Sequence, residues 1–275
     1  MSLLRVVSAV TDARRASLIR IVIGMDAALR GEEARNVMQA VAHPNKLHLP
    51  YVFGLGVPPQ PWLDIYAVAW ILLGVAFAAG WRTLWTGLAL SAVMFSSLLF
   101  DEQTFSNHLY FISIIVLLLA LAGAGGRYSI DSWRGRGSAF VAQWPITLLK
   151  LQLSLIYFFG AVSKINPIYL SGVVLERNLH AGGLITLPPE LRTMTICAVL
   201  SAASVAIDLA LALGLWLPRF RAITAAGGIV FHIFMVSLLT ANLSGQLAMF
   251  AVACMALYLF FFPAPMPPAT ETASR

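Results

Sequence analysis

The amino-acid sequence predicts an all-α integral membrane protein with about eight transmembrane helices. Its 275 residues are 59% hydrophobic and only 11% charged, with a mean hydropathy of +0.82, whereas soluble domains carry about 25% charged residues. Apolar runs of roughly 20 residues, the length needed to cross about 30 Å of hydrocarbon, recur along the chain. Because backbone N–H groups in lipid must be paired within the chain, these runs are expected to be helices.

Eight apolar runs are interpreted as transmembrane spans, and short interfacial helices are expected in the loops between them. The spans are predicted at Leu18–Leu29, Leu63–Gly80, Leu84–Phe100, Leu109–Gly123, Ile146–Val162, Met194–Leu217, Ile223–Leu239 and Leu247–Phe262. They divide the chain into a cytoplasmic N-terminal segment (1–16), a transmembrane domain (17–262) and a proline-rich, disordered tail (263–275). Segment 164–193 is expected to form helices that lie on the membrane or dip into it, and segment 128–143 is expected to lie on the inner face.

The positions of the basic residues predict that both termini face the cytoplasm. With eight spans, the inner segments hold ten arginines and the outer loops hold six basic residues, and cytoplasmic loops are generally the richer in Lys and Arg. These residues are scattered singly or in pairs, so the net charge of +6 indicates contact with lipid head groups and not with nucleic acid. The lipid bilayer is therefore the expected partner.

Motifs of several well-known enzyme classes are absent from the sequence. It contains no CxxC pair, no glycine-rich phosphate loop and no GxSxG elbow. Its five histidines are too scattered for metal-ligand spacing, so no metal is expected. Cys197 and Cys254 lie inside apolar runs and are interpreted as small packing residues.

Ionisable residues inside the predicted spans need a physical reason, because each costs at least about 2.5–3.5 kcal/mol at the centre of a bilayer. Three of them, Arg20, Asp26 and Asp208, are interpreted as a structural network of interhelical ion pairs and hydrogen bonds. Lys150 is interpreted as a further structural polar residue. Asp26 and Arg30 are four residues apart and are expected to pair on one helix face. His232 lies near the middle of its span, and an ionisable residue at that depth indicates a functional role.

Lys164 ends the predicted fifth span and admits two interpretations. Lys150, Tyr157 and Lys164 are seven residues apart, so they share one helix face, and Pro167 stops the helix soon afterwards. In the first interpretation, Lys164 reaches to the membrane surface and complements the helix dipole. In the second, it is kept dry enough to lose its proton and acts as a base.

Asn107 and His108 begin the predicted fourth span, in the sequence FSNHLYF. Ser106 or Asn107 is expected to cap that helix. A helix N-terminus disfavours an imidazolium, so His108 is expected to be a neutral hydrogen-bonding group. With eight spans, His108 and Lys164 lie on the same, outer side of the membrane, which is a requirement for a shared site.

Two segments of the chain resemble a known family. The run DEQTFSNHLYFISIIVLLLAL (101–121) resembles the Asn-His segment of the vitamin K-dependent gamma-glutamyl carboxylases and of their bacterial homologues, the HTTM (horizontally transferred transmembrane) proteins. The run LQLSLIYFFGAVSKINPIYLSG (151–172) resembles the Tyr-Phe, Gly and Lys segment of the same family. Weaker similarity extends over roughly residues 17 to 262.

The resemblance implies a carboxylase-like membrane enzyme that couples quinol epoxidation to gamma-carboxylation of glutamate. By resemblance Lys164 is the base that deprotonates reduced vitamin K, a menaquinol or a similar quinol, and His108 is a second catalytic residue. Asn107, Tyr157 and His232 are then expected to bind the quinol or the substrate. The co-substrates implied are O2 and CO2, the partners are a membrane quinol and a glutamate-containing peptide, and the location is a bacterial inner membrane with the site toward its outer face.

The sequence departs from the family pattern in three places. The animal enzymes carry a large lumenal domain, which this chain lacks after its eighth predicted span. Ser163 precedes Lys164 where the family has a second lysine, and Val173 stands where an acidic residue is often found. The fold and the pocket are therefore better supported than carboxylation of a glutamyl protein.

Two further functions remain open from the sequence. One is a non-carboxylating HTTM scaffold, such as a partner in peptide maturation or immunity, for which Lys164 would face water or head groups. The other is a small transporter, which would need a polar path through Asp208 and Arg20 and is disfavoured because no inverted repeat is visible. An enzyme predicts instead that Lys164, His108 and His232 converge on one cavity.

Overall fold

The computed structural model describes residues 9–51, 56–180, 183–238 and 241–263. They form two compact units, one comprising the chain up to Leu148 together with Pro263, the other Leu149–Phe262. About 74% of the described residues are helical, as expected for an all-α membrane protein. Of the predicted terminal regions, residues 1–8 of segment 1–16 and residues 264–275 of tail 263–275 lie outside the described residues.

The described helices correspond one to one with the predicted spans, with two short helices added between the fifth and sixth. The helices are α1 (Ala13–Val41), α2 (Trp62–Ala79), α3 (Thr83–Ser97), α4 (Asn107–Ala122), α5 (Gln143–Lys164), α6 (Pro167–Leu170), α7 (Val173–His180), α8 (Met194–Gly214), α9 (Arg221–Leu238) and α10 (Ala241–Tyr258). Single 3-10 turns occur at Glu102–Thr104, Pro189–Leu191 and Leu259–Phe261, and a π-helical turn at Ser132–Arg136.

Four of the described helices are long and apolar enough to cross a membrane: α2, α5, α8 and α9. Three apolar segments are shorter, namely Thr83–Ser97, Asn107–Ala122 and Leu247–Phe261. Helix α1 is the longest, but its 29 residues include five arginines and three acidic residues. The fold is therefore an α-helical membrane fold, and the number of eight spans remains a prediction.

Local capping explains where several helices begin and end. The carboxylate of Asp12 accepts the N–H of Arg14 at the start of α1, and the hydroxyl of Ser106 accepts the N–H of Leu109 at the start of α4. The predicted cap of α4 by Ser106 or Asn107 is thus confirmed, with Ser106 as the cap. Gly80 and Gly123 end α2 and α4 in the left-handed conformation.

In the first unit, α1 and α2 pack closely because small residues face each other. A Cβ atom on Gly24 would lie 2.6 Å from the backbone of Ala78, and one on Gly74 would lie 2.8 Å from the backbone of Ala28. The indole N–H of the fully buried Trp70 donates to a carbonyl of α1 at 2.8 Å. Such close backbone approach is typical of helix pairs in membranes.

Three segments of the first unit that were predicted to be cytoplasmic contact one another: the N-terminal segment, the turn after α2 and residues 128–143. Strand β1 (Val10–Asp12) pairs antiparallel with β2 (Phe140–Ala142), a small sheet that the all-α prediction did not include. The fully buried Arg20 donates to the carbonyl of Tyr128 at 2.6 Å. Residues 128–143 thus fold into a π-helical turn and a strand that hold helix ends together.

Gly80→Ala is expected to destabilise this part of the first unit. Gly80 has φ +68°, which costs a residue with a Cβ about 1–2 kcal/mol, and the new methyl group would overlap the guanidinium of Arg20 and the side chain of Ser129. Thermal unfolding in detergent should show a lower midpoint for Gly80→Ala. Gly135→Ala is the matched control, since it has φ +75° but open space around its Cβ position, so a smaller loss is expected there.

The stability of the first unit is expected to fall in acid through Asp131. Its carboxylate accepts hydrogen bonds from the N–H and hydroxyl of Thr83, from the N–H of Arg82 and from Arg136. Burial by itself would raise the pKa of Asp131, but these hydrogen bonds outweigh it and hold the pKa below its ordinary value of 3.8.

A depressed pKa in the folded state means that this stabilisation is complete above the unfolded pKa and is lost as the pH falls through the folded pKa. Thermal midpoints measured between neutral pH and pH 3 should therefore decline at the acid end. Asp131→Asn should show a lower midpoint at neutral pH and a weaker acid decline. An unchanged acid decline in Asp131→Asn would assign the effect to other carboxylates.

In the second unit, α9 packs against α8 and α10, while the short helices α6 and α7 pack against α8. Gly172, with φ +86°, brings the turn between α6 and α7 against the backbone of Cys197. Gly228 of α9 leaves room for Leu211 of α8 and for the hydroxyl of Tyr258. These close approaches place side chains of α5, α8, α9 and α10 around one interior region.

Candidate functional site

The predicted polar face of α5 makes three separate contacts inside the second unit. Helix α5 ends at Lys164, and Pro167 occupies the first turn of the next helix, capped by Asn166. Lys150, Tyr157 and Lys164 each contact different side chains of the unit. The heptad spacing therefore distributes three polar groups along one helix.

Lys164 forms an ion pair with Asp208 of α8. The distance from Nζ to Oδ2 is 2.7 Å, and the side chains are 22% and 5% exposed. The amine also lies 5.7 Å from the ring centre of Tyr169 and 5.8 Å from that of Phe231. Asp208, predicted from its sequence position to take part in an interhelical network, thus lies directly against the candidate base.

His232 lies in a buried chain of hydrogen bonds. The hydroxyl of Tyr157 is 2.8 Å from Nε2 of His232 and 2.5 Å from the hydroxyl of Tyr258. All three side chains are at most 4% exposed. The structure thus brings Tyr157 and His232 into direct contact and adds Tyr258, a residue that the sequence analysis did not identify.

Two cavities meet at Lys164. The larger one has a volume of about 850 Å³ and is lined mainly by apolar side chains of α8 and α9, with polar groups from Lys164, Tyr169, Asn178 and Ser204 among them. The smaller one has a volume of about 110 Å³, and its polar lining is Tyr157, Lys164, Asp208 and His232. The amine of Lys164 therefore borders both an apolar pocket and a small polar compartment.

Lys150 has a different environment from Lys164. Its amine lies 4.5 Å from the ring centre of Trp216 and 4.9 Å from that of Phe261, and the indole N–H of Trp216 donates to Ser154 at 2.7 Å. A cation over aromatic faces is attracted by their quadrupoles. This arrangement fits a packing role for Lys150, and neither of the two cavities reaches it.

The remaining predicted polar residues belong to the first unit. Asp26 and Arg30 are both buried in α1, with 4.0 Å between Oδ1 and Nε, as the spacing of four predicts. Asn107 and His108 form the first turn of α4, with Asn107 exposed and His108 partly buried. Since the two units are described separately, a shared site of His108 with Lys164 remains a prediction.

Sequence reasoning identified Lys164, Tyr157 and His232 but not their partners. Asp208 is 44 residues from Lys164, and Tyr258 is 101 residues from Tyr157. Each was visible only as a polar residue in an apolar run, which does not reveal its partner. Among the described residues, no cluster of His, Cys, Asp and Glu side chains has a geometry able to hold a metal ion.

Comparison with known protein families gives one result. The HTTM domain family model matches residues 9–265, and so covers both units. Neither a curated protein nor a solved structure matches the chain. With nearly its whole length matched by that model, this α-helical membrane protein belongs to the HTTM domain family.

Proposed function

We propose that this protein is a membrane enzyme of the vitamin K-dependent carboxylase type, in which Lys164 takes a proton from a membrane quinol. One observation carries the proposal: the Lys164 amine lies in the wall of an apolar cavity of about 850 Å³. Pockets for small molecules typically measure about 300–1,000 Å³, with few polar groups among apolar ones. An amine in such a wall is placed to meet the polar end of an apolar ligand.

The cavity fits the chemistry of a reduced vitamin K. Apolar side chains such as Leu200, Ile207 and Phe234 line it and suit a ring with an isoprenoid chain. Near the amine, the hydroxyls of Tyr169 and Ser204 lie 2.8 Å apart and form a polar pair. This polar end is suited to the quinol hydroxyls, and the apolar remainder to the chain.

Lys164 must be neutral to act as a base, whereas its ion pair with Asp208 favours the ammonium. The proton of the ammonium therefore has to be held elsewhere when the quinol binds. Asp208 is the nearest acceptor, at 2.7 Å from Nζ. A base held within hydrogen-bond reach of its proton partner is the geometry that general acid–base catalysis needs.

The other assignments follow the family resemblance. His232 and Tyr157 line the small compartment beside the amine, and Asn107 and His108 are proposed, by resemblance to the family, to bind the quinol head group. Bound reduced vitamin K would supply, with O2, the strong base for glutamate gamma-carboxylation by CO2. The acceptor is proposed to be a glutamate-containing peptide, and the membrane a bacterial inner membrane with the site toward its outer face.

The proposal is tested by reconstituting the protein in vesicles with reduced vitamin K. Epoxide formation that needs O2, and incorporation of labelled CO2 into glutamate-containing peptides, are the expected results. Oxidised vitamin K is the control ligand, since it has no hydroxyl proton to lose. Epoxide without labelled peptide would limit the function to quinol epoxidation, and the absence of both products would overturn the proposal.

A non-catalytic scaffold is the second candidate, and one observation favours it. Lys164 and Asp208 neutralise each other, as a purely structural pair between α5 and α8 would. A scaffold predicts that exchanging the pair for apolar or neutral residues leaves the protein's biological activity intact. A scaffold also predicts no epoxide formation with any quinol.

A further inference from the structure

The small compartment beside Lys164 receives polar groups from three helices. Tyr157 and Lys164 come from α5, Asp208 from α8 and His232 from α9, while Leu247 and Phe250 of α10 close another side. The proposed quinol, with its isoprenoid chain, fits only the larger cavity, because the compartment has a volume of about 110 Å³. The small compartment can therefore bind only molecules much smaller than the quinol.

Two buried side chains that line this compartment each use only one of their two polar atoms in the hydrogen bonds of the described part of the chain. In His232 the remaining atom is Nδ1, since only Nε2 of that ring is bonded. In Asp208 it is Oδ1, since Lys164 bonds to Oδ2. Both residues are 4% exposed. Buried polar atoms are nearly always paired, with protein or with ordered water.

Water satisfies the size and the chemistry of this compartment. A water needs roughly 10–15 Å³ of such cavity volume and two to four polar partners, so about 110 Å³ holds several. The Lys164–Asp208 pair has no net charge when ionised, so it does not call for a charged guest. A short chain of waters would join Asp208 to Nδ1 of His232.

We propose that this compartment is a hydrated proton-transfer chamber in which His232 stores the proton of Lys164, with Asp208 as the relay. The inference rests on the proposed function, in which Lys164 must be neutral before the quinol binds. Tyr157 and Tyr258 act as positioning residues through their hydrogen bonds. In the proposed tautomer, the Tyr157 hydroxyl accepts the Nε2–H of His232 and donates to Tyr258. This tautomer leaves Nδ1 unprotonated and free to accept.

The transfer balances in protons and in charge. The Lys164 ammonium gives its proton to Asp208, and the resulting carboxylic acid passes a proton through water to Nδ1 of His232. Lys164 ends as a neutral amine, Asp208 as a carboxylate and His232 as an imidazolium. The set is neutral overall before and after, so no net charge is created in the membrane. The Asp208 carboxylate then stabilises the imidazolium as it did the ammonium.

Among the described residues, the titratable groups around His232 are Lys164, Asp208, Tyr157 and Tyr258, with Cys254 next to the two tyrosines. Replacing Lys164 and replacing Asp208 should act in opposite directions. With ¹⁵N-labelled histidine, solid-state NMR of the ligand-free protein in bilayers separates imidazolium from imidazole, and His232→Gln assigns the signal. Asp208→Asn should remove the imidazolium signal of His232 at neutral pH. Lys164→Met should increase it above wild type, because Asp208 then lacks its other cation.

The proposed proton-transfer chamber would be contradicted if neither wild type nor Lys164→Met showed an imidazolium signal. It would also be contradicted if the signal persisted in Asp208→Asn. A merely structural His232 that stays a neutral imidazole predicts no imidazolium signal in wild type or in either variant. These measurements need no quinol, so they are independent of the proposed function. If wild-type protein forms no epoxide but the signals respond as expected, the chamber stands and the quinol assignment fails.

Turnover provides the second arm of the test. His232→Gln keeps a group able to bond to Tyr157 but cannot store a proton, so epoxide formation should fall by about 100-fold, within the usual range of general acid–base effects. His180→Gln is the matched control, because His180 lies on the exposed side of α7 with its partner Glu176. Equal turnover in the two variants would contradict a proton-storing role.

Discussion

Lys164→Met is expected to reduce quinol epoxidation by at least about 100-fold, because a positioned acid–base group contributes about 10²–10⁴ to a rate. Methionine keeps the length of the side chain but has no proton acceptor of comparable strength. The measurement is epoxide formed per protein in vesicles that contain reduced vitamin K. The loss should appear in kcat and not only in KM, since the apolar wall of the larger cavity is retained.

Lys150→Met is the matched control on the same face of the same helix. Lys150 contacts Trp216 and Phe261 and borders neither cavity, so wild-type turnover within about twofold is expected for correctly folded protein. Removing one partner of a buried ion pair costs about 3–5 kcal/mol. The double variant Lys164→Met with Asp208→Asn therefore serves as a second test, because it leaves no charge unpaired.

If the double variant folds like wild type and still forms epoxide at the wild-type rate, Lys164 is not the base. If it folds and forms none, the loss belongs to the chemistry and not to stability. Thermal unfolding in detergent gives the folding comparison for all variants. The scaffold function would be favoured if the wild-type protein folded but formed no epoxide. It would be favoured further if the double variant still bound the biological partner of the protein.

Gly227→Leu is expected to raise the KM for the quinol by about tenfold or more, because it places a large side chain inside the larger cavity. Gly227 of α9 lines that cavity, and a Cβ added there meets no atom within 4 Å. The new Cβ therefore displaces no protein atom, and the side chain is placed to occupy volume that the ligand would use. Excluding part of an apolar ligand loses about 0.8 kcal/mol for each CH2 no longer buried.

Ala226→Leu is the matched control, since Ala226 is the preceding residue, is also exposed, and is not part of the cavity lining. It should leave KM and kcat near wild-type values. The measurement is the initial rate of epoxide formation over a series of quinol concentrations in vesicles. A Gly227→Leu variant with unchanged KM would show that the quinol binds elsewhere.

Comparison with Gly228 separates filling the pocket from damaging the fold. A Cβ on Gly228 would lie 2.5 Å from the hydroxyl of Tyr258 and 2.6 Å from Leu211. Gly228→Ala should therefore disturb packing between α8, α9 and α10 and lower the unfolding midpoint, whereas Gly227→Leu should not. The two neighbouring glycines thus differ in role because one faces the cavity and the other faces packed side chains.

The sequence alone determined the class of the molecule and the positions of its helices. Apolar runs must be helical in lipid because no water pairs with the backbone, and this rule is local. The same holds for helix ends, since the caps at Ser106 and Gly123 depend on neighbouring residues. The seven-residue spacing of Lys150, Tyr157 and Lys164 likewise placed them on one face before any tertiary contact was known.

Only the tertiary structure decided which polar groups meet. The Lys164–Asp208 pair and the Tyr157–Tyr258 bond join residues 44 and 101 positions apart, and the pairing of β1 with β2 also joins distant segments. A polar residue in an apolar run signals that a partner is needed but not which one, because many helix arrangements bury the same apolar surface. Side-chain packing between helices selects one arrangement, and with it the cavity that Lys164 borders.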